Sequence, residues 1–189
     1  QVNYRINKYL KEGLIKKFAT FFNNSKLGYS YNIAILLKFQ KRLTKEELRL
    51  KANKNKNCQS RGKAYGNYDM YMTAIFKDEK QLNEYLTFLM EDKENPLSDY
   101  LVIKPYFNEL YPLKFIHKKS GEIYLATGHD DSKYKPDKKD LKIFRAIEKD
   151  GRAKIVDIAK EAGMSAELTL HRLKKLYKEK VILGSRVIF

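Results

Sequence analysis

The chain has 189 residues, a net charge of +16 and one cysteine. This length allows one large or two small domains. The single cysteine, Cys58, excludes an internal disulfide framework and predicts a reducing, cytoplasmic setting with a structural thiol. No apolar run approaches the ~20 residues needed to cross a bilayer, so we expect no membrane partner. The three histidines lack partners at metal-ligand spacing, which predicts no metal and no cofactor.

The positive charge predicts a polyanionic partner, and nucleic acid is the usual one. Lysine and arginine are denser in residues 1–29 and 137–189 than between them. A composition rich in Lys, Asn and Tyr can also follow from the base bias of a genome. Charge alone therefore does not decide the partner.

The first 22 residues open inside a helical pattern. Ile6, Tyr9 and Leu10 recur at helical spacing and Gly13 marks the end of the helix. Residues 23–29 are polar and turn-rich, and we interpret them as a linker.

Residues 30–116 alternate strand and helix signals. The predicted strands cover residues 33–39, 61–65 and 68–77 and begin again at 100–103, while helices begin at the Thr44-x-x-Glu47 capping box and at Asp78. Residues 51–59 are predicted to form a basic surface loop or a fraying helix end. The order strand, helix, strand, strand, helix, strand is typical of a ferredoxin-like α+β domain, an antiparallel sheet with two helices on one face.

Residues 105–136 give the weakest signals. Apolar side chains are predicted to pack on the sheet or on a partner chain, namely Tyr106, Phe107, Leu110, Tyr111, Leu113 and Phe115. Residues 122–126 are predicted to add a strand. Residues 117–136 form a connecting segment whose last part is polar and acts as a tether.

Residues 137–189 contain three short helical patterns and two apolar runs. The first helix, 140–149, is predicted to place Leu141, Phe144 and Ile147 on one face, and the second covers 155–162. Ser165 is placed to N-cap the third helix. That helix is predicted to bury Leu170, Leu173, Leu176 and Tyr177 and to expose Glu167, Thr169, His171, Arg172, Lys174, Lys175 and Lys178. The last residues, 181–189, predict a two-stranded wing folded about Gly184 and Ser185.

Two short helices with a glycine-bearing turn, the second of them basic, are typical of a helix-turn-helix whose second helix enters the major groove. On periodicity alone, a three-helix bundle with a solvated charged face is an equal alternative.

The amino-acid sequence of residues 137–189 resembles the DNA-binding half of the Lrp/AsnC, or feast/famine, transcription regulators. The matching positions are Asp140, Ile143 and Phe144, the turn Asp150-Gly151-Arg152, Ile158-Ala159, the Gly163-x-Ser165 turn, and the Arg-x-x-x-Leu helix of Arg172 and Leu176. The resemblance implies a winged helix-turn-helix that binds double-stranded DNA.

The sheet domain is similar to the ligand-binding half of the same family in its order of elements. Gly66-x-Tyr68-Asp69 resembles a recognisable loop of that half. The resemblance implies a small-molecule effector, such as an amino acid, bound by Gly66, Tyr68 and Asp69, and a homodimer or higher homo-oligomer. A simple hairpin turn is the alternative.

The two ends of the chain form an internal repeat, in which residue i matches residue i+167. Arg5 falls on Arg172, Glu12 on Glu179 and Ile15 on Ile182. We interpret the chain as one period of a tandem protein, with a helix-turn-helix before residue 1 and a further sensor domain after residue 189. Chance similarity between two lysine-rich ends is the alternative.

These patterns together predict a transcription regulator that is not an enzyme. Its expected DNA contacts are Ser165, Glu167, Thr169, His171, Arg172, Lys174, Lys175 and Arg186, with Asn3, Tyr4, Lys8, Lys16 and Lys17 by the repeat. For Arg172, the family resemblance implies support of the fold as an alternative role.

Two rival functions remain. Sirohaem decarboxylases resemble the same two-part architecture, and a site of that kind would need basic side chains for substrate carboxylates, for which only Arg61, His117 and His129 are available outside the basic ends. The other rival is a basic module that binds protein or RNA without reading DNA sequence.

Overall fold

The computed structural model of the protein describes residues 1–111, 125–128 and 133–189. The chain divides into a terminal unit, Gln1–Asn23 with Tyr134–Phe189, and a central unit, Asn24–Lys133. The finer domain boundaries given above stay predictions. In chain order the elements are α1 (Val2–Lys11), β1 (Lys17–Phe22), β2 (Tyr31–Phe39), α2 (Lys45–Asn53), β3 (Cys58–Lys63), β4 (Met70–Phe76), α3 (Glu79–Met90), β5 (Leu97–Ile103), β6 (Phe107–Leu110), β7 (Leu125–Gly128), α4 (Lys138–Lys149), α5 (Ile155–Ala162), α6 (Ala166–Lys178) and β8 (Ile182–Ile188).

The central unit is built on a four-stranded antiparallel sheet with strand order β3-β4-β2-β5. This order confirms the predicted ferredoxin-like arrangement. One face of the sheet is apolar because alternate side chains of a strand point the same way. Along β4 the buried residues Met70, Met72, Ala74 and Phe76 alternate with more exposed ones, as predicted.

The two helices of this unit begin where the sequence places them. Thr44 and Glu47 form a reciprocal capping box at the start of α2, and the Asp78 carboxylate accepts the Gln81 backbone N–H at the start of α3. The helices close the core through side chains that include Leu48, Leu82, Tyr85, Leu86 and Leu89.

Of the two alternatives for residues 51–59, a surface loop or a helix end, the first residues form a helix end, but the expected surface exposure is wrong at Lys51. Lys51 belongs to α2 and is only 8% exposed. Its Nζ donates to the Asp92 Oδ2 at 2.7 Å and to the Asn95 carbonyl at 3.0 Å. A lysine can be buried at such a place because both its charge and its donors are satisfied. The next strand then begins at Cys58, three residues earlier than predicted, and the Cys58 thiol is half-buried.

A second, two-stranded sheet follows in the central unit. Strand β6 pairs antiparallel with β7, with Phe107 opposite Gly128. The predicted extra strand at residues 122–126 therefore overlaps β7, which starts at Leu125. Predictions for Leu113, Phe115, His117 and His129 lie outside the described residues.

In the terminal unit, α4, α5 and α6 pack on one another around Ile143, Ile147, Ile158, Ala162 and Leu176. The predicted face of α4 is wrong at Leu141, which is 46% exposed. The buried stripe runs instead through Asp140, Ile143, Ala146 and Ile147. Asp140 is the one charged residue of that stripe. It is buried there because it forms a capping box with Asp137, in which each carboxylate accepts the backbone N–H of the other residue.

The wing is two-stranded as predicted, but the predicted hairpin about Gly184 and Ser185 is wrong. Residues 182–188 form one continuous strand, β8, and Gly184 and Ser185 lie within it rather than at a turn. The partner of β8 is β1, which runs antiparallel to it from Lys17 opposite Ile188 to Phe22 opposite Ile182. A strand needs a neighbour for its backbone groups, and the opposite end of the chain supplies it.

The turn between α4 and α5 holds this two-stranded sheet against the helices. The Gly151 N–H donates to the Phe18 carbonyl at 2.8 Å, and the Thr20 hydroxyl donates to the Ile147 carbonyl at 2.8 Å. A Cβ on Gly151 would lie 2.8 Å from the Ser185 Oγ and 3.0 Å from the Thr20 Oγ1. Glycine is therefore needed here for close packing.

Candidate nucleic-acid interface

Helix α6 is joined to α5 by a short turn whose geometry follows from its sequence. Gly163 ends α5 in the left-handed conformation, with φ of 65°. Ser165 then caps α6, its hydroxyl accepting the Leu168 N–H at 3.2 Å. This confirms the predicted cap, and it assigns the Ser165 side chain to the helix end.

One side of α6 is buried and the opposite side is exposed to solvent. Leu173 and Leu176 are 6% and 0% exposed. On the opposite side four exposed side chains recur at helical spacing, and we call them the polar stripe: Glu167, His171, Lys174 and Lys178. The stripe carries three basic side chains and one acidic one, which is the mixture expected of a helix that meets both phosphates and base edges.

Thr169 was predicted to be a DNA contact, and the structure contradicts this. Its side chain is 0% exposed, and its hydroxyl donates to the Ser165 carbonyl one turn earlier at 2.9 Å. The periodicity explains the error, because Thr169 precedes Leu173 by four residues and Leu176 by seven, and so lies on the core side. Its internal hydrogen bond makes burial of the hydroxyl inexpensive. Leu170 and Tyr177, which were predicted to be buried, are 40% and 48% exposed on the edge of the same face.

Arg172 is held inside the terminal unit. Its Nη1 lies 2.8 Å from the Asp137 Oδ2 and 2.8 Å from the Asp140 Oδ1. The Asp140 Oδ2 also accepts the Tyr134 hydroxyl at 2.7 Å. This network ties α6 to the start of α4, so the arginine supports the fold rather than reaching outward.

The charges in this network shift the acidity of its members. The Asp140 backbone N–H, followed by Arg172 and the Lys139 N–H, stabilises the Asp137 carboxylate and lowers its pKa. Partial burial, together with the hydrogen bond to Asp140, raises the pKa of Tyr134. Both shifts favour the charge states that the network uses at neutral pH.

Lys175 lies outside the polar stripe, and its side chain is directed toward Tyr134. Its Nζ lies 5.8 Å from the centre of the Tyr134 ring and 3.9 Å from the Glu179 carboxylate. It is still 55% exposed. Lys178 occupies the stripe instead. Its exposure was predicted, although it was not among the predicted DNA contacts.

The predicted contacts on the first helix are distributed over two sides of it. Tyr4 is 73% exposed, and Lys8 is exposed with its Nζ 3.7 Å from the Glu12 carboxylate. Asn3 is engaged, because its Oδ1 accepts from the Arg152 Nη2 at 3.2 Å. In the following strand region, the Lys16 Nζ donates to the Phe189 carbonyl at 2.7 Å.

The remaining two predicted contacts lie on the two-stranded sheet. Lys17 begins β1 and is exposed, while Arg186 lies in β8 and is half-buried opposite Ala19. The terminal unit thus places basic groups on α6, on α1 and on the β1–β8 sheet.

The predicted effector loop lies in the central unit, between β3 and β4. Gly66 has φ of 106°, which favours glycine, and Tyr68 is half-buried. The Asp69 Oδ2 accepts the Phe39 N–H at 2.9 Å, and the Asp69 N–H donates to the Leu37 carbonyl at 2.9 Å. Asp69 therefore holds the loop against β2 through these two hydrogen bonds. The described residues contain no group of three or more His, Cys, Asp or Glu side chains placed to hold a metal ion.

Comparison with known proteins agrees with this geometry. Residues 136–182 match the family model described as winged helix-turn-helix DNA-binding. The terminal unit carries a winged helix-turn-helix domain. No curated protein matches the sequence. Within the described ranges, no helix is long and apolar enough to span a membrane.

Several solved structures resemble the chain at low sequence identity. The siroheme decarboxylase NirDL, solved with an iron-uroporphyrin III analogue, is 18% identical with a TM-score of 0.59 and covers 98% of this chain. The chain spans 54% of the NirDL chain, about half its length. A transcriptional regulator of Neisseria meningitidis in complex with L-Met is 13% identical with a TM-score of 0.51, over 61% of this chain and 77% of that one. AsnC of E. coli is 13% identical with a TM-score of 0.51, over 59% and 74%. These likenesses establish the fold.

Proposed function

We propose that the protein is a sequence-specific, DNA-binding transcription regulator of Lrp/AsnC type. The observation that carries this proposal is the polar stripe of α6. All four side chains of the polar stripe are exposed, and they face away from the buried Leu173 and Leu176. The stripe belongs to a domain that matches a DNA-binding family. A regulator needs such a surface because only side chains clear of the core can enter a groove.

The stripe divides into two kinds of contact. Glu167 and His171, near the N-terminal end of α6, are placed to meet base edges, where a glutamate accepts from the amino group of cytosine. Lys174 and Lys178 lie further along the helix and supply phosphate contacts, as does Arg186 on the adjoining strand. Phosphate contacts set position and affinity, while the base contacts choose the sequence.

We further propose that residues 1–22 and 137–189 belong to two copies of one repeated DNA-binding element, related by 167 residues along this chain. The helix ends support the repeat. The Glu12 N–H donates to the Lys8 carbonyl and the Glu179 N–H to the Lys175 carbonyl, both at 2.9 Å. Two linked DNA-binding heads raise each other's effective local concentration once one of them is bound.

The central unit supplies assembly and regulation in this proposal. The sheet face opposite α2 and α3 exposes Tyr71, Leu101 and Ile103 by 43%, 45% and 46%. An apolar sheet face of this kind supports a homodimer or higher homo-oligomer. The loop of Gly66, Tyr68 and Asp69 supports a small-molecule effector such as an amino acid only through its resemblance to the Lrp/AsnC loop.

Selection of bound duplexes from a random-sequence DNA library tests the proposal. We expect enrichment of a defined sequence, and Glu167→Gln or His171→Ala should relax the base preference at one or two positions while retaining affinity for bulk DNA. Lys80→Gln, in an exposed position of α3, is the matched control and should leave the selected sequence unchanged. Recovery of no preferred sequence would support the basic module without specific DNA binding.

A second candidate is a decarboxylase that acts on a tetrapyrrole, favoured by the NirDL fold likeness over 98% of this chain. Of its expected carboxylate-binding residues, Arg61 lies half-buried on β3, and His117 and His129 lie outside the described residues. Titration of the protein with iron-uroporphyrin III tests this candidate. A saturable shift of the absorbance band, reduced in Arg61→Ala, would favour the enzyme; an unchanged spectrum would remove it.

A further inference from the structure

A basic groove lies in the terminal unit between α1, the start of β1 and the turn that joins α4 to α5. Its volume is about 520 Å³. Its basic lining comes from β1, from the residue before it and from the turn: Lys16, Lys17, Lys149, Arg152 and Lys154. The four side chains of the polar stripe of α6, all within the described part of the chain, do not line it. The basic groove is therefore a second cationic surface of the same unit.

The carboxylates near the basic groove leave part of its charge unpaired. Asp150 lines the groove, and its Oδ1 accepts the Arg152 backbone N–H at 2.9 Å, which closes the turn. Glu161 forms an ion pair with Lys149. Among the described residues, no carboxylate forms an ion pair with Arg152 or Lys154. Their positive charges are available to an anion from outside the chain.

The Arg152 side chain is held in position by uncharged groups. Its guanidinium carbon lies 4.9 Å from the centre of the Phe18 ring, and its Nη2 donates to the Asn3 Oδ1 at 3.2 Å. Neither partner neutralises the arginine. Because the ring covers a face of the planar guanidinium, the N–H donors at its edge can still bind a pair of anionic oxygens.

Arg172 of the same unit offers a contrast. Its Nη1 forms ion pairs with Asp137 and Asp140, so its charge is satisfied within the fold. Arg152 is exposed, and its side-chain acceptor is an amide oxygen. An arginine that is oriented but not neutralised is suited to bidentate binding of a phosphate.

The two ends of the chain build the basic groove together. Asn3 and Phe18 belong to the first 18 residues, whereas Arg152 and Lys154 follow α4 near the opposite end. The Gly151 N–H donates to the Phe18 carbonyl at 2.8 Å, which fixes the turn against β1. This bond places the next residue, Arg152, beside the Phe18 ring and within reach of α1.

We propose that the basic groove binds phosphates of a DNA backbone, with Arg152 and Lys154 as the ligands and Asn3 as the residue that positions Arg152. A phosphodiester fits this place because it carries one negative charge and two free oxygens that match the guanidinium fork. Lys154 adds a second, more mobile charge for a neighbouring phosphate. The inference rests on the proposed function, to which it adds a phosphate site remote from the polar stripe of α6.

Duplex binding measured at several salt concentrations tests the basic groove in the whole chain. Arg152→Gln/Lys154→Gln should make the slope of log K against log salt shallower by about 1.8, because two phosphate contacts are lost. Lys154→Gln alone should account for about 0.9 of this change. The control pair Lys139→Gln/Lys160→Gln removes the same charge from exposed positions outside the groove and should leave the slope unchanged. Equal changes in the two double variants would overturn the proposal.

Two variants that conserve charge test the positioning of Arg152. Asn3→Ala removes the hydrogen bond that orients the guanidinium, and it should weaken binding several-fold with an unchanged salt slope. Arg152→Lys keeps the charge but not the planar fork, and it should have the same effect. Full affinity in Asn3→Ala would overturn the positioning role, since a residue that merely lines the groove would not be needed.

The groove variant in a Lys174→Gln/Lys178→Gln background separates this proposal from the regulator proposal. A further loss of about 1.8 in the slope shows that the groove contacts are additional to those of α6 and supports the groove. A slope that changes with the stripe variant but not with the groove variant would overturn the groove alone, and the reverse would count against α6 alone. Titration with inorganic phosphate completes the test. Shifts of the Arg152 side-chain N–H resonances, together with DNA binding that the groove variant does not alter, would overturn the proposal in favour of a free-anion site.

Discussion

Helices α6 and α1 end in the same way and share the spacing Arg-x-x-Lys-x-x-Lys-Glu, but they differ in burial. Leu176 of α6 is 0% exposed, whereas its equivalent Tyr9 is 36% exposed. Caps and turns are formed by residues close in sequence, and they are present at the end of both helices. Burial requires other helices, and only α6 has them among the described residues. Local signals therefore fix where a helix ends, while its stability depends on its neighbours.

Truncation of the apolar side chains should show the largest contrast between the two helices. Leu176→Ala should destabilise the terminal unit by about 2–5 kcal/mol, because it leaves a cavity among packed helices. Tyr9→Ala should change the stability by no more than about 0.5 kcal/mol, because the ring lies at the surface. The free energy of opening, measured from hydrogen exchange of α6 amides in the whole chain, checks both values. Equal losses would contradict the difference in packing.

Removal of the equivalent arginines should give a smaller contrast. Arg172→Ala should destabilise the terminal unit by about 1.5–3 kcal/mol, because it removes charge-assisted hydrogen bonds to Asp137 and Asp140. Arg5→Ala should have no measurable effect in the isolated chain. The same exchange measurement on α6 amides checks the pair. A neutral Arg172→Ala would mean that the Asp137 and Asp140 carboxylates do not need the arginine.

The Asp137 carboxylate should make the stability of α4 and α6 sensitive to acid. Its folded pKa is lowered, first by the Asp140 N–H and then by Arg172. The stabilising contribution is therefore present above the ordinary aspartate pKa of about 3.9 and is lost as the pH falls through the lowered folded value.

Asp137→Asn isolates this charge, because asparagine is also a good N-cap. The variant should be less stable than the original at pH 6, and the difference should shrink toward pH 2. Unfolding followed by the exchange of α6 amides between these pH values checks the trend. A difference that grows on acidification would have the wrong sign for a lowered pKa.

The sequence predicts the local features of this fold well. Alternation along β4, the caps at Thr44, Asp78 and Ser165 and the whole of α5 follow from neighbours within a few residues. Thr169 shows why the candidate site is harder to predict. A polar residue in a basic helix is expected to be exposed to solvent. The spacing of Thr169 from Leu173 and Leu176 places it in the core instead, where its hydroxyl donates a hydrogen bond to the Ser165 carbonyl.

The other errors concern contacts between distant parts of the chain. Lys51 is buried because Asp92 and Asn95, some forty residues away, satisfy its charge and its donors. The wing was predicted as a local hairpin about Gly184, but β8 pairs with β1, which lies at the opposite end of the sequence. Strand pairing over such a separation leaves no local periodic signal, so only the structure reveals it.

The dependence of DNA binding on salt concentration tests the central claim, that the polar stripe of α6 faces a duplex, most directly. The measurement compares the original chain, the double variant Lys174→Gln/Lys178→Gln, and a control of equal charge, Lys80→Gln/Lys93→Gln, on one random-sequence duplex. If both stripe lysines contact phosphates, the slope of log K against log salt should become shallower by about 0.9 for each, and so by about 1.8 in the double variant, with no change in the control. Equal slopes for the original chain and the stripe variant, or equal changes in the two double variants, would contradict the account.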